Sequence, residues 1–243
     1  MKYFLDTEFL EGTQKTWFGY SKPTIDLISI GIVAEDGREY YAISNEFNLK
    51  EAWHRFDIKR TKTGNNSYRD YWLRDNVLKP IHYELASKEV STPSYDTWLE
   101  VITLRENGVY GDRHYKTLKK LINKYGKSNK QIAEEVIKFT STSECRFVEE
   151  YGDKPEFYGY YADYDWVVFC WLFGKMIDLP KGFPKYCIDL KQELERLTQE
   201  VIRDCGNNDN SYKLQEHPNY PKQTNEHNSL SDAKWVYELY KFL

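Results

Sequence analysis

Tyr3-Phe4-Leu5-Asp6-Thr7-Glu8-Phe9-Leu10 sets two carboxylates inside an otherwise apolar and aromatic run. The run reads as a strand, and because side chains alternate faces with period two, Asp6 and Glu8 point to the same side. Two like charges so close repel unless a cation lies between them. Hard divalent ions such as Mg²⁺ or Mn²⁺ prefer carboxylate and water oxygens. The pair alone is compatible with a metal site or with a solvated strand edge, but the flanking Phe4, Leu5, Phe9 and Leu10 favour a central strand.

Outward from this run, residues 25–34 contain Leu27-Ile28-Ser29-Ile30-Gly31-Ile32-Val33, the near-continuous apolar pattern of a strand buried on both faces. Glu35-Asp36-Gly37 breaks it with a tight-turn signal, and residues 39–44, carrying Tyr40, Tyr41 and Ile43, follow as a third strand. The chain therefore opens as an antiparallel meander. Further on, residues 157–161 read as a strand, 165–174 as an aromatic-rich helix, 186–190 as a short strand and 191–204 as a charged helix. Residues 205–225 read as loop, and 230–242 as a closing helix with Ala233, Val236, Tyr237 and Tyr240 at helical spacing. Strand, helix, strand is the pattern of a parallel crossover, so the fold class is α/β with a sheet of mixed direction. Between residues 48 and 130 the text is polar and interrupted; 68–78, 115–125 and 128–139 look helical there, with Ser128 as a cap for the last.

The chain has 243 residues, 40% of them hydrophobic and 30% charged, a globular balance that suits one domain. Its 34 Lys and Arg against 38 Asp and Glu leave a formal charge of -4, which argues against gripping nucleic acid by global positive charge. The aromatic share of 16%, with 21 Tyr and 7 Trp, is high enough to serve base stacking as well as the core. No apolar leader or membrane-length run is evident, so a cytoplasmic protein without membrane contact is expected. Cys145, Cys170, Cys187 and Cys205 show no Cys-x-x-Cys spacing and read as reduced thiols.

Two further elements carry carboxylates. In Tyr160-Tyr161-Ala162-Asp163-Tyr164-Asp165-Trp166 a strand gives way to a helix, the kind of carboxyl edge at which open α/β sheets place their sites. Asp165 there reads equally as an acid capping its helix, and Asp163 competes for any functional role. His227-Asn228-Ser229-Leu230-Ser231-Asp232 precedes the last helix, where Ser229 and Asp232 also fit a capping box.

In conjunction, Asp6-Thr7-Glu8, Tyr164-Asp165 and His227 through Asp232 resemble the three motifs of the DEDDh exonucleases of the ribonuclease H-like fold. More closely, residues 3–9 with residues 27–42 are similar to the polyadenylate-specific exoribonuclease AS family, a mycobacterial type of 3′→5′ exoribonuclease. The similarity extends to an echo at residues 72–78 and, more loosely, to residues 128–243. Relative to a compact member, residues 11–24 lengthen the first connection and about 82–127 look inserted into the single domain.

The resemblance implies a five-stranded mixed sheet, meander first and parallel strands after, flanked by helices. It also implies two Mg²⁺ or Mn²⁺ ions held by Asp6, Glu8, Asp165 and Asp232, with His227 as general base. It implies hydrolysis of single-stranded RNA from the 3′ end to nucleoside 5′-monophosphates, and a homodimer. A histidine base must be neutral, so activity is expected to fall in acid. Thr7 and Phe9, beside the carboxylates, are candidate substrate contacts, as is a basic run from Arg113 to Lys130 that holds no acidic residue. A DNA exonuclease of proofreading or repair type would use the same five residues. A non-catalytic nucleic-acid-binding module would be expected to have lost some of them.

Overall fold

Aromatic and aliphatic alternation builds a five-stranded sheet. The structure, a computed structural model, describes residues 1–15, 19, 21–61, 66–89, 112–141, 154–204 and 213–243. Strands β1 (Lys2–Lys15), β2 (Ser21–Ala34) and β3 (Glu39–Ile43) come first, and β6 (Glu156–Gly159) and β7 (Ile188–Asp189) later, in the spatial order β3-β2-β1-β6-β7. The Gly37 amide bonds to the Ala34 carbonyl and the Ala34 amide to the Arg38 carbonyl, with Gly37 at φ +86, the turn that Asp36-Gly37 announces. At the other seam the Glu35 amide reaches the Lys2 carbonyl, pairing the end of β2 with the start of β1. β1 to β6 and β6 to β7 are parallel. This is an α/β mixed sheet flanked by helices, consistent with a ribonuclease H-like fold.

The chain divides into two compact units, the first formed by residues 1–8, 29–42 and 129–243 and the second by 9–28 and 43–128. In the first unit, β1 feeds both faces of the sheet. Tyr3 stands abreast of Phe157 on β6 with rings 5.6 Å apart, and Phe4 abreast of Tyr158 at 5.4 Å on the opposite face. Helices α4 (Asn129–Thr140) and α5 (Asp163–Trp171) meet the Tyr3 face, through Phe139 against Tyr3 and Trp166 and Phe169 against Phe157. The Phe4 face receives α7 (Ser229–Phe242), whose Ala233, Trp235, Val236 and Leu239 close over Phe4, Val33 and Tyr158. Between β7 and α7 lies α6 (Leu190–Asp204).

The second unit carries α1 (Leu49–His54), the antiparallel pair β4 (Asp57–Arg60) and β5 (Ser67–Asp70), a π-helical turn (Arg74–Leu78) running into α2 (Lys79–Lys88), and α3 (Asp112–Tyr125). Buried Trp53, Val77, Leu78, Ile81, Leu85, Leu118 and Ile122 form its core, with Trp53 edge-on to Tyr115.

Several expectations are corrected. Residues 68–78 are not one helix: Tyr68 and Arg69 pair in β5 with Lys59 and Ile58 of β4, and coiling begins only at Trp72. Residues 11–15 and 21–24 extend β1 and β2 rather than forming a connection. The helix expected at 165–174 spans Asp163–Trp171, and the strand expected at 186–190 shrinks to Ile188–Asp189. Cys170 is buried and Cys187 half-buried, both as free thiols, whereas Cys145 and Cys205 lie outside the described residues. Among the described residues no helix is long and apolar enough to cross a membrane.

Gly31 shows how closely α7 sits on the sheet. A Cβ there would collide with the Ser229 carbonyl oxygen and the Leu230 backbone, and beside it buried Ser229 donates a 3.1 Å hydrogen bond to Ser29. Rigid backbone lies in the way, so no side-chain rotation relieves the clash. Gly31→Ala is expected to lower unfolding free energy by about 2 kcal/mol or more, measured by urea denaturation; an unchanged midpoint would refute the close approach.

Candidate metal centre

Alternation along β1 decides which carboxylate goes where. Asp6 and Glu8 share the face of Phe4, the face on which α7 packs, and α7 brings Asp232 into its first turn. Asp6, Glu8 and Asp232 each offer an oxygen within 4.8 Å of the others. Thr7 points to the opposite face, where α5 packs. Its amide and its hydroxyl both donate to Asp165 Oδ1, at 2.9 and 2.6 Å. Asp165 stands outside the trio of oxygens, yet its charge acts on both Asp6 and Glu8.

Local chemistry frees Asp165 and Asp232 from capping their helices. The N-cap of α5 is Ala162, so Asp165 does not cap the helix, and Asp163, its competitor, is exposed while Asp165 is buried. The capping box expected of Ser229 and Asp232 is absent, because Asn228 caps α7 by accepting from the Ser231 amide at 3.0 Å. Asp232 instead accepts from the His227 amide at Oδ2, 2.8 Å, and from Gln223 Nε2 at Oδ1, 2.6 Å. His227 adopts the left-handed region, φ 65, and its Nδ1 lies 3.9 Å from Glu8 Oε1. Non-glycine residues rarely hold that conformation without a functional or structural constraint.

Electrostatics follow from this crowding. Burial first, and then the charges of Asp165, Glu8 and Asp232, push Asp6 well above the usual carboxylate range. Burial, with Asp232 and Asp165, raises Glu8 to about 8. Asp165 rises to about 6 through burial, moderated by the two hydrogen bonds from Thr7. Asp232 is raised by burial against the opposing pull of Gln223 and the His227 amide. Half-buried and buried acids that repel one another fit a divalent cation, whose charge would offset both the desolvation and the repulsion, and an all-oxygen donor set suits Mg²⁺ or Mn²⁺.

All five candidate residues, Asp6, Glu8, Asp165, His227 and Asp232, thus belong to the first unit. Thr7 is buried, with its amide and hydroxyl both bonded to Asp165. Phe9 follows Glu8 on β1 and is half-buried. In the basic run, Lys116, Lys119 and Lys120 of α3 are exposed, and Lys124 pairs with Glu89. Gln223, Asn228 and the Ser29–Ser229 contact were not anticipated. Asn228 just ahead of an apolar run is a recognisable cap signal, but nothing in the polar text around Gln223 singles it out.

No family model matches the chain. Two curated proteins are similar to it, 3′-5′ exoribonucleases of Mycobacterium tuberculosis strains CDC 1551 / Oshkosh and ATCC 25618 / H37Rv. Each is 28% identical over 195 residues, covering 79% of this chain and 73% of the relative.

The raised carboxylates predict how metal-free protein responds to pH. The folded state retains a proton on Glu8 up to about pH 8, whereas the unfolded chain releases it near 4.5. The folded state binds more protons in that window, so its stability is full below the window and is lost as pH rises through it. In chelator the melting temperature should fall by roughly 5 °C or more between pH 5 and pH 8. Mg²⁺ or Mn²⁺ should cancel the fall, and Glu8→Gln should flatten it. Calorimetric profiles that coincide with and without metal would mean that these acids hold no ion.

Proposed function

We propose that the chain is a metal-dependent 3′→5′ exoribonuclease of the DEDDh type, acting on single-stranded RNA. The observation that carries this reading is the convergence of Asp6, Glu8 and Asp232 oxygens within 4.8 Å, with His227 reaching Glu8 from the loop that also bonds Asp232. The two similar exoribonucleases support RNA over DNA as substrate.

In this reading Asp6, Glu8 and Asp232 hold two divalent cations, Mg²⁺ or Mn²⁺, with Asp165 completing the set directly or through water. Bound there, the cations supply positive charge to the phosphodiester and lower the pKa of a coordinated water. Thr7 fixes Asp165 by occupying one of its oxygens and leaving the other for ligation. Gln223 and the His227 amide fix Asp232 in the same manner. Because the His227 amide bonds Asp232, the backbone that carries the imidazole is held by one of the carboxylates it would serve.

His227 accepts a proton from the water that attacks the terminal phosphorus. The bond from phosphorus to the 3′ oxygen of the preceding nucleotide breaks, and that oxygen leaves with a proton as a new 3′-hydroxyl. The product is a nucleoside 5′-monophosphate, and the shortened chain is the next substrate.

Digestion of a 5′-labelled RNA and its matching DNA, with Mg²⁺ or Mn²⁺ and with chelator, tests the reading. A metal-dependent ladder shortening from the 3′ end, abolished by Asp6→Ala, is expected, with RNA cleaved faster than DNA. Absence of cleavage of either by folded wild-type protein would overturn it. His227→Ala should reduce kcat by about 10²–10⁴-fold while leaving Mn²⁺ affinity, followed by titration calorimetry, within about threefold. A rate near wild type would remove the base from His227.

A further inference from the structure

Tyr161, four residues before Asp165, combines a left-handed backbone with an exposed aromatic ring. It lies in the three-residue link between the end of β6 at Gly159 and the start of α5 at Asp163. In the parallel register Phe4 stands opposite Tyr158, and Gly159 lies against the Leu5 carbonyl, so the link leaves the sheet level with Asp6. Adjacent strands are about 4.8 Å apart, and the link follows β6, the immediate neighbour of the strand that carries Asp6 and Glu8.

The backbone at Tyr161 has φ 56, a conformation that a bulky side chain adopts only under constraint. The constraint is visible. The Tyr161 amide donates to Asp189 Oδ1 at 3.1 Å, and the same oxygen accepts from the Lys191 amide at 2.8 Å, tying the link to the start of α6. A glycine or asparagine would hold this geometry at lower cost, so the backbone alone gives no reason for a tyrosine.

Nor does packing supply one, since the residue is 64% exposed. It is nonetheless braced. Tyr160 presents to it at 5.0 Å and 74°, and Lys191 Nζ lies 5.7 Å from its centroid. Tyr160 in turn stands edge-on to Trp235 at 4.9 Å, and the Trp235 indole donates to the Pro221 carbonyl, so the brace is anchored in α7. A braced, solvent-facing aromatic just beyond the strand next to the one that carries Asp6 and Glu8 offers a π-face whose ordering cost is already partly met by folding.

We propose that Tyr161 is a stacking platform that receives a nucleobase of the single-stranded substrate next to the scissile phosphate. The inference rests on the exonuclease reading above. Stacking is indifferent to base identity, so Tyr161 would contribute affinity and register without sequence preference.

Tyr161→Asn keeps a residue that tolerates the left-handed backbone, and Tyr161→Trp keeps an aromatic face. For a single-stranded RNA substrate, Tyr161→Asn should raise KM by about tenfold with kcat altered less than about twofold, and its melting temperature should equal or exceed that of wild type. Tyr161→Trp should restore KM. An unchanged KM in Tyr161→Asn, or a loss that Trp fails to restore, would overturn the proposal. A second measurement separates it from the reading it rests on: binding of 5′-labelled RNA in Ca²⁺, followed by anisotropy. Should wild type bind RNA but cleave nothing, the exonuclease reading falls while stacking survives if Tyr161→Asn binds about tenfold more weakly. Equal binding by the two proteins would reject the platform in either case.

Discussion

Mutual repulsion among half-buried and buried carboxylates is the constraint around which the first unit is organised. Asp6, Glu8 and Asp232 have oxygens within 4.8 Å, and Asp165 adds its charge to the first two. Burial raises the pKa of each of these acids, and repulsion adds to that rise for Asp6 and Glu8. What holds it together is packing elsewhere: the aromatic ladder of β1 on β6, and α7 seated so closely on Gly31 that no side chain fits between. The burial of Phe4, Ala233, Val236 and Leu239 offsets the cost of assembling the acids. The cluster is thus a liability for stability that the neighbouring core sustains and that a divalent cation would relieve.

One strand distributes the four acids to two layers. Even positions of β1 face α7, so Asp6 and Glu8 meet Asp232 there; the odd position Thr7 faces α5 and reaches Asp165. Slipping the register of β1 by one residue would exchange these faces and separate the carboxylates. The stacked pairs Tyr3 with Phe157 and Phe4 with Tyr158 oppose such a slip, because each ring is matched to its own layer. Core packing therefore specifies the site as much as the acidic residues do.

Much of this was legible in the sequence because it depends on local alternation. The shared face of Asp6 and Glu8 follows from their spacing, and the meander follows from an apolar run, Asp36-Gly37 and Tyr40-Tyr41. Elements set by distant partners were harder to read. Ser67, Tyr68 and Arg69 are all exposed, so no buried face marks them as strand, and only pairing with Asp57–Arg60 makes them one. The capping readings of Asp165 and Asp232 failed because Ala162 takes one N-cap and Asn228 the other. Gln223 was invisible for the same reason: its partner Asp232 lies nine residues away across a loop whose path no periodicity announces.

Strain near the site has a consistent placement. His227 at φ 65 and Tyr161 at φ 56 both lie in short links that deliver a helix to the sheet, and each is held by one carboxylate accepting its amide. The acceptor is Asp232 for His227 and Asp189 for Tyr161. A left-handed residue turns the chain sharply, which lets α5 and α7 each begin within a few residues of the acids they carry. Replacing either with a relaxed extended residue would lengthen the approach and move Asp165 or Asp232 off the sheet edge. The cost of these conformations, about 1–3 kcal/mol each, is borne by the carboxylate hydrogen bonds and by the buried helices behind them. Backbone strain and acid placement are therefore two aspects of one geometric requirement, that β1 and α7 bring the oxygens of Asp6, Glu8 and Asp232 within 4.8 Å while α5 holds the charge of Asp165 beside them.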